Sequence, residues 1–110
     1  MKIYISIPIT GHDYNTQMAK AKVWEDTIKG LGHTPVNPFS TPAHPSWMDD
    51  EQEQYAYYMG EDIKALLQCD AIYMEMGWIN SKGCQLERQA AKIYGKKIFY
   101  SIMDIPKPNK

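Results

Sequence analysis

The sequence predicts one α/β domain, a three-layer sandwich of doubly wound type built on a parallel sheet of four to five strands. Two observations carry that expectation. Short β-branched and aromatic runs alternate with longer stretches of helical apolar spacing, and glycines or prolines stand at most of the junctions. Strands that alternate with helices imply parallel pairing through right-handed crossovers. With 110 residues the chain has room for a single core, residues 1–110, and a chain of this size buries roughly 60% of its unfolded surface.

The first strand is read over residues 2–7, where Ile3, Tyr4, Ile5 and Ile7 cluster before Pro8. A helix follows over 16–31, with Met18, Val23, Trp24, Ile28 and Leu31 at helical spacings and Gly30 and Gly32 near its end. Residues 33–36 form a short second strand weakened by Pro35. Pro38, Pro42 and Pro45 then make a loop that cannot hold regular structure for long. Helical spacing returns over 47–67 with Tyr55, Met59, Ile63, Leu66 and Leu67. Asp49, Asp50 and Glu51 stand at its start, where partial positive charge on the free N–H groups favours them. A third strand over 70–76, a polar turn over 77–83, a helix over 84–94 and a fourth strand over 97–102 complete the order.

Composition excludes several function classes. A net charge of −1 with 23% charged residues provides no whole-chain field for a nucleic acid polymer or an anionic membrane. The apolar opening is too short to span a bilayer and is not laid out as a secretory signal. Cys69 and Cys84 have no motif spacing, so free thiols in a cytoplasmic setting are expected. His12, His33 and His44 lack the spacing of a metal site; neither a metal nor a cofactor is expected.

In doubly wound sheets, ligands sit outside the carboxyl ends of the strands. That rule nominates three loops, residues 8–13, 37–47 and 77–83. Ser81, Gly83 and Glu87 form the first chemical constellation. Glu87 falls about one turn into the last helix, and its side chain leans back toward the helix N-terminus and the ligand-binding edge. An attacking carboxylate must be ionised, yet full burial raises a carboxyl by about 3–5 units, more than a helix dipole offsets. Glu87 can therefore act as a nucleophile only in a partly wet pocket or with hydrogen-bond donors nearby, for which Tyr4, Ser6 and Ser81 are candidates. A solvated helix glutamate fits the same spacing.

Asp62 stands at the edge of a buried stripe, either as a solvated edge residue or as an acid aimed at the pocket, whereas Asp70 reads as structural. The turn Ser6-Ile7-Pro8-Ile9-Thr10-Gly11 precedes a helix N-terminus and can cradle a phosphate or sugar, although an ordinary strand-to-helix turn has the same pattern. There is no dinucleotide-binding glycine fingerprint and no P-loop lysine. Phe39, Trp47, Tyr55, Tyr57, Tyr58 and Trp78 lie in or near the nominated loops, and one or two of them could stack on a base.

Lys2-Ile3-Tyr4-Ile5-Ser6-Ile7-Pro8-Ile9-Thr10-Gly11 resembles the first strand and loop of nucleoside 2-deoxyribosyltransferase-like proteins. The order Asp62, Asp70, Ser81, Gly83, Glu87 resembles the corresponding segment of the 2′-deoxynucleoside 5′-phosphate N-hydrolases in that superfamily. The resemblance spans most of the chain and looks like the small DUF4406-type branch. It implies a flavodoxin-like or Rossmann-like sheet, a glutamate nucleophile at Glu87, an acid at Asp62 that assists departure of the base, and a homodimer or larger homo-oligomer. The turn from Ser6 to Gly11, with Ser81, would hold the sugar or 5′-phosphate. The sequence departs from those hydrolases in having Pro8 and Thr10 in the first loop and Cys84 and Gln85 ahead of Glu87, so substrate choice does not carry over.

The expected function is N-glycosidic bond cleavage in a small-molecule nucleoside or nucleotide, or deoxyribosyl transfer. Glu87 and Asp62 are the catalytic candidates, and Tyr4, Ser6, Pro8, Ile9, Thr10, Gly11, Trp78, Ser81 and Gly83 the substrate-binding ones. A non-catalytic nucleotide or nucleotide-sugar binding module is the alternative, and a purely structural domain a third.

Overall fold

The computed structural model describes residues 1–108. Its four strands, β1 (Lys2–Ser6), β2 (Thr34–Val36), β3 (Ala71–Met74) and β4 (Lys97–Phe99), form one sheet in the order β2-β1-β3-β4, with every neighbouring pair parallel. Three helices, α1 (Tyr14–Gly30), α2 (Glu51–Leu67) and α3 (Lys82–Ile93), cover its faces. The expected three-layer α/β sandwich is therefore the observed fold.

Alternation along the central strands sorts the core into two halves, because successive side chains point to opposite faces. Ile3 and Ile5 of β1 and Ala71 and Tyr73 of β3 pack with Ile28 of α1 and with Ile105 of the C-terminal segment. Tyr4, Ile72 and Met74 face the other way, onto Leu66 of α2 and Cys84 and Ala91 of α3. β1 and β3 are buried on both faces, which accounts for their nearly continuous apolar runs. The chain leaves β1 for β2 on one side and reaches β3 on the other, so the switch point of the sheet lies between β1 and β3.

Element ends move by a few residues from those the spacing suggests, and side-chain caps explain most of the changes. Asp13 accepts from the Thr16 amide at 2.9 Å and from its hydroxyl at 2.7 Å, which starts α1 at Tyr14 rather than Thr16. The buried stripe of α1 consequently runs through Gln17, Ala21 and Ile28, and Met18 and Val23 face solvent. Gly32, at φ 93°, supplies the left-handed turn after α1. Asp50 caps α2 by accepting from the Glu53 amide, leaving Trp47, Met48 and Asp49 outside the helix. Ser81 caps α3 through the Cys84 amide at 3.2 Å.

Residues 37–47 contain a 3-10 turn at Pro38–Ser40, capped by Asn37. Pro35 is tolerated because β2 is an edge strand. β4 stops at Phe99, and the stretch expected to continue it turns into a 3-10 helix at Ile102–Asp104. Asp70 accepts from the Lys2 amide at 2.8 Å, tying the start of β3 to β1. Both cysteines are free and buried. Among the described residues no helix is long and apolar enough to cross a membrane.

Candidate active site

A cavity of about 730 Å³ opens at the carboxyl edge of the sheet. All three nominated loops reach it: Ile9 and Thr10 from the first, Pro38, Phe39, Thr41 and Ala43 from the second, and Asn80, Ser81, Lys82 and Gly83 from the third. Tyr55, Tyr58, Met59 and Asp62 of α2 form one wall, and Tyr4, Cys84 and Glu87 lie on the side of the sheet and α3.

Glu87 projects from α3 toward the end of β1. Its carboxylate accepts two hydrogen bonds of 2.7 Å, Oε2 from the Tyr4 hydroxyl and Oε1 from the Ser6 hydroxyl. Both donors sit on the strand face that looks toward α3, two residues apart, as the period of a strand requires. Tyr4 and Ser6 are fully buried and Glu87 is 5% exposed, so this glutamate is no solvated helix residue.

Burial pushes the Glu87 carboxyl up to about 8. The Tyr4 and Ser6 hydrogen bonds oppose that rise, and the charge of Asp62 adds to it. Burial likewise lifts Asp62 to about 6, opposed by a hydrogen bond from the Thr41 hydroxyl to Oδ1 at 3.1 Å and reinforced by Glu61. Burial, then the nearby charges of Glu87 and Asp62, hold the Tyr4 phenol well above its usual range, so it stays a donor. The Cys84 thiol is also raised, chiefly by burial, and stays protonated.

Of the expected site residues, Tyr4, Ile9, Thr10, Asp62, Ser81, Gly83 and Glu87 line the cavity, and Ser6 joins them through its bond to Glu87. Ser81 does not reach the Glu87 carboxylate as a donor; its oxygen is the cap of α3. Three candidates lie elsewhere. Pro8 is buried behind the turn, its carbonyl accepting from the Gln17 amide group at 2.6 Å, and Gly11 is exposed with φ 82°. Trp78 turns away to meet Tyr100 at 5.6 Å between ring centroids, with the Arg88 guanidinium 5.0 Å over its own ring.

Sequence reasoning passed over Tyr14, Thr41, Met59, Asn80 and Lys82 as site residues. Tyr14 meets Phe39 edge to face at 5.2 Å, and the two form an aromatic rim. Thr41, Asn80 and Lys82 fall within or beside the nominated loops, so the sheet-edge rule was the signal that pointed toward them. Of the six aromatics singled out, Phe39, Tyr55 and Tyr58 line the cavity. Trp47 is 70% exposed and Tyr57 packs edge to face on Tyr58. Among the described residues no cluster of three or more histidine, cysteine or carboxylate side chains is arranged to hold a metal ion.

Residues 1–100 match a family described as a domain of unknown function, DUF4406. The chain belongs to the DUF4406 family. No curated protein matches it. Among solved structures, this DUF4406 chain resembles a 2-deoxyribosyltransferase from Bacillus psychrosaccharolyticus, with a TM-score of 0.68 at 19% identity. The match covers 89% of this chain and 69% of that one. A 2-deoxyribosyltransferase from Leishmania mexicana superposes with a TM-score of 0.64 at 23% identity, covering 88% of this chain and 61% of that one. The DUF4406 chain thus has the 2-deoxyribosyltransferase fold and spans under two thirds of the second enzyme's length.

Proposed function

We propose that the chain cleaves the N-glycosidic bond of a nucleoside or nucleotide, or transfers its deoxyribosyl group, with Glu87 as nucleophile and Asp62 as general acid. One observation carries the reading: a buried glutamate held by two hydroxyl donors faces the same cavity as a second carboxyl whose proton affinity is raised toward neutral pH. The fold shared with two deoxyribosyltransferases, one of them described as a biocatalyst for nucleoside synthesis, supports it.

The step balances as in retaining glycosidases. A Glu87 oxygen bonds to C1′ as the bond from C1′ to the base nitrogen breaks; the electron pair leaves with the base, and Asp62 gives that nitrogen its proton. Positive charge developing on the sugar meets the Glu87 anion, an interaction stronger in the transition state than in the ground state. Water or a second base then attacks C1′, frees Glu87 and returns a proton to Asp62. Water gives a hydrolase and a second base a transferase.

A non-catalytic nucleotide or nucleotide-sugar binding module is the second reading. It is favoured by the same burial that leaves Glu87 largely protonated at neutral pH, since a neutral carboxyl both donates and accepts hydrogen bonds. Incubating the protein with a panel of deoxynucleosides and their monophosphates, followed by chromatography for free base, separates the two. Base release by the wild type, lost in Glu87→Gln, supports the enzyme; binding without release supports the module.

The resemblance also suggests a homodimer or larger assembly in a reducing cytoplasm. Exposed Tyr55, on the cavity wall, and exposed Trp47 give such an assembly apolar surface to cover. Light scattering that shows only monomer at micromolar concentration excludes it.

A further inference from the structure

Asp62 is 9% exposed, and Thr41 Oγ1 donates to its Oδ1 from a different part of the chain, 21 residues away. The loop that carries Thr41 is stiffened on both sides. Asn37 caps the 3-10 turn at Pro38–Ser40 by accepting from the Phe39 amide at 2.9 Å, and the Thr41 amide closes that turn onto the Pro38 carbonyl at 3.2 Å. Pro38 and Pro42 fix φ on either side of the segment. Farther along, the His44 amide donates to the Tyr58 hydroxyl at 3.1 Å and the Gln54 side chain to the Met48 carbonyl at 2.7 Å, binding the loop to α2 at two more points. A threonine on a mobile loop could not hold a carboxylate; this one is seated on the helix that bears it.

We propose that Thr41 is a positioning residue, which fixes the rotation of the Asp62 carboxyl through Oδ1 so that its transferable proton resides on Oδ2. The inference rests on the assignment of Asp62 as the acid. A hydroxyl that donates to one carboxylate oxygen marks it as the acceptor, so a proton taken up by the group goes to the other oxygen. The bond also favours the ionised form of Asp62 against its burial. Of the titratable groups around Asp62, Glu61 on its own helix, Tyr4 on β1 and Glu87 on α3 are coupled to its charge, and Tyr55 and Tyr58 of α2 with Lys82 and Cys84 of α3 line the same cavity; the donor to Oδ1 is the Thr41 hydroxyl.

The decisive measurement is the titration of Asp62 by carboxyl carbon NMR in the wild type, Thr41→Val and Thr41→Ser, alongside the acid limb of base release. Valine keeps the shape and removes the donor. Thr41→Val is expected to raise the Asp62 midpoint by about one pH unit and to carry the acid limb with it. Thr41→Ser, which keeps the hydroxyl, should titrate as the wild type does. An unchanged midpoint in Thr41→Val, or serine behaving like valine, overturns the assignment. Absence of base release from the wild type defeats the proposed reaction instead, and the NMR comparison still decides the role of Thr41.

Discussion

The Tyr4 hydroxyl of β1 lies 2.7 Å from Glu87 Oε2, 83 residues away in sequence, and is one of two donors that favour the anion against the burial that raises this carboxyl. Removing it tests how much that donor does. Tyr4→Phe leaves the ring packing in place and should displace the Glu87 titration upward by about one unit. Base release near neutral pH should then fall roughly tenfold. A pH–rate profile of the variant checks this, and an unmoved alkaline inflection would show that Tyr4 has no part in ionising Glu87.

The wild-type profile itself has an expected shape. Reaction needs Glu87 ionised and Asp62 protonated, although Glu87 holds its proton up to about 8 and Asp62 only to about 6. The productive state is therefore a minority of roughly 1% across the plateau between those values. The rate should rise with pH to about 6, stay level, and fall above about 8. Asp62→Asn should lose the alkaline fall, because no proton donor remains to be titrated. Substrates whose base is already easily protonated should suffer least. A variant that keeps both limbs would remove Asp62 from the mechanism.

Burial of Glu87 also has a consequence for folding. Its folded value of about 8 lies above the ordinary 4.5, so the folded protein holds a proton that the unfolded chain has released. The sign follows: this contribution is fully present below about pH 4.5 and is lost as pH rises through about 8. The loss is on the order of several kcal/mol, at about 1.4 kcal/mol per unit. Glu87→Gln should abolish base release, keep the fold, and remove this slope, so that above pH 8 it unfolds at higher denaturant than the wild type. Urea melts at pH 5, 7 and 9 would expose a wild type without such a slope.

Gly83 offers a contrast between space and stability. A Cβ there would sit 3.5 Å from Met59 Sδ and 3.8 Å from the Tyr55 hydroxyl, ordinary contact distances. Gly83→Ala should therefore fold normally and, standing in the first turn of α3, gain less than the roughly 1 kcal/mol that alanine offers over glycine in a helix interior, read as a small rise in melting temperature. Gly83→Leu would push into the cavity between α2 and α3 and should cut nucleoside affinity while α3 persists by circular dichroism. Equal affinity for both variants would place the ligand elsewhere.

The layers and the order of elements were legible because the apolar runs of β1 and β3 and the helical spacings are strong local signals. The meeting of Tyr4 and Ser6 with Glu87 was partly legible too: helix direction turned Glu87 toward the ligand-binding edge, and both hydroxyls stood among its candidate donors. What spacing could not supply was long-range choice. Ser81 fits a donor and a helix cap equally well in sequence, and the free amides of the first turn of α3 took it. Trp78 fits a base platform as well as it fits the stack with Arg88 and Tyr100, and that stack depends on a C-terminal turn expected to be strand. The sheet-edge rule reached the loop of Thr41 but not its bond to Asp62, which arises only when that loop folds back onto α2.

The pairing of β1 hydroxyls with a carboxylate on α3 also bears on how the protein is made. On a ribosome, Tyr4 and Ser6 emerge before α3 and wait through α1, β2, α2 and β3 for the residue that accepts their hydrogen bonds. Contacts of such wide sequence separation are slow to close. The pocket therefore completes only once α3 has been made, and a nascent chain stalled before α3 would present two buried-type hydroxyls without an acceptor at the centre of an unfinished sheet.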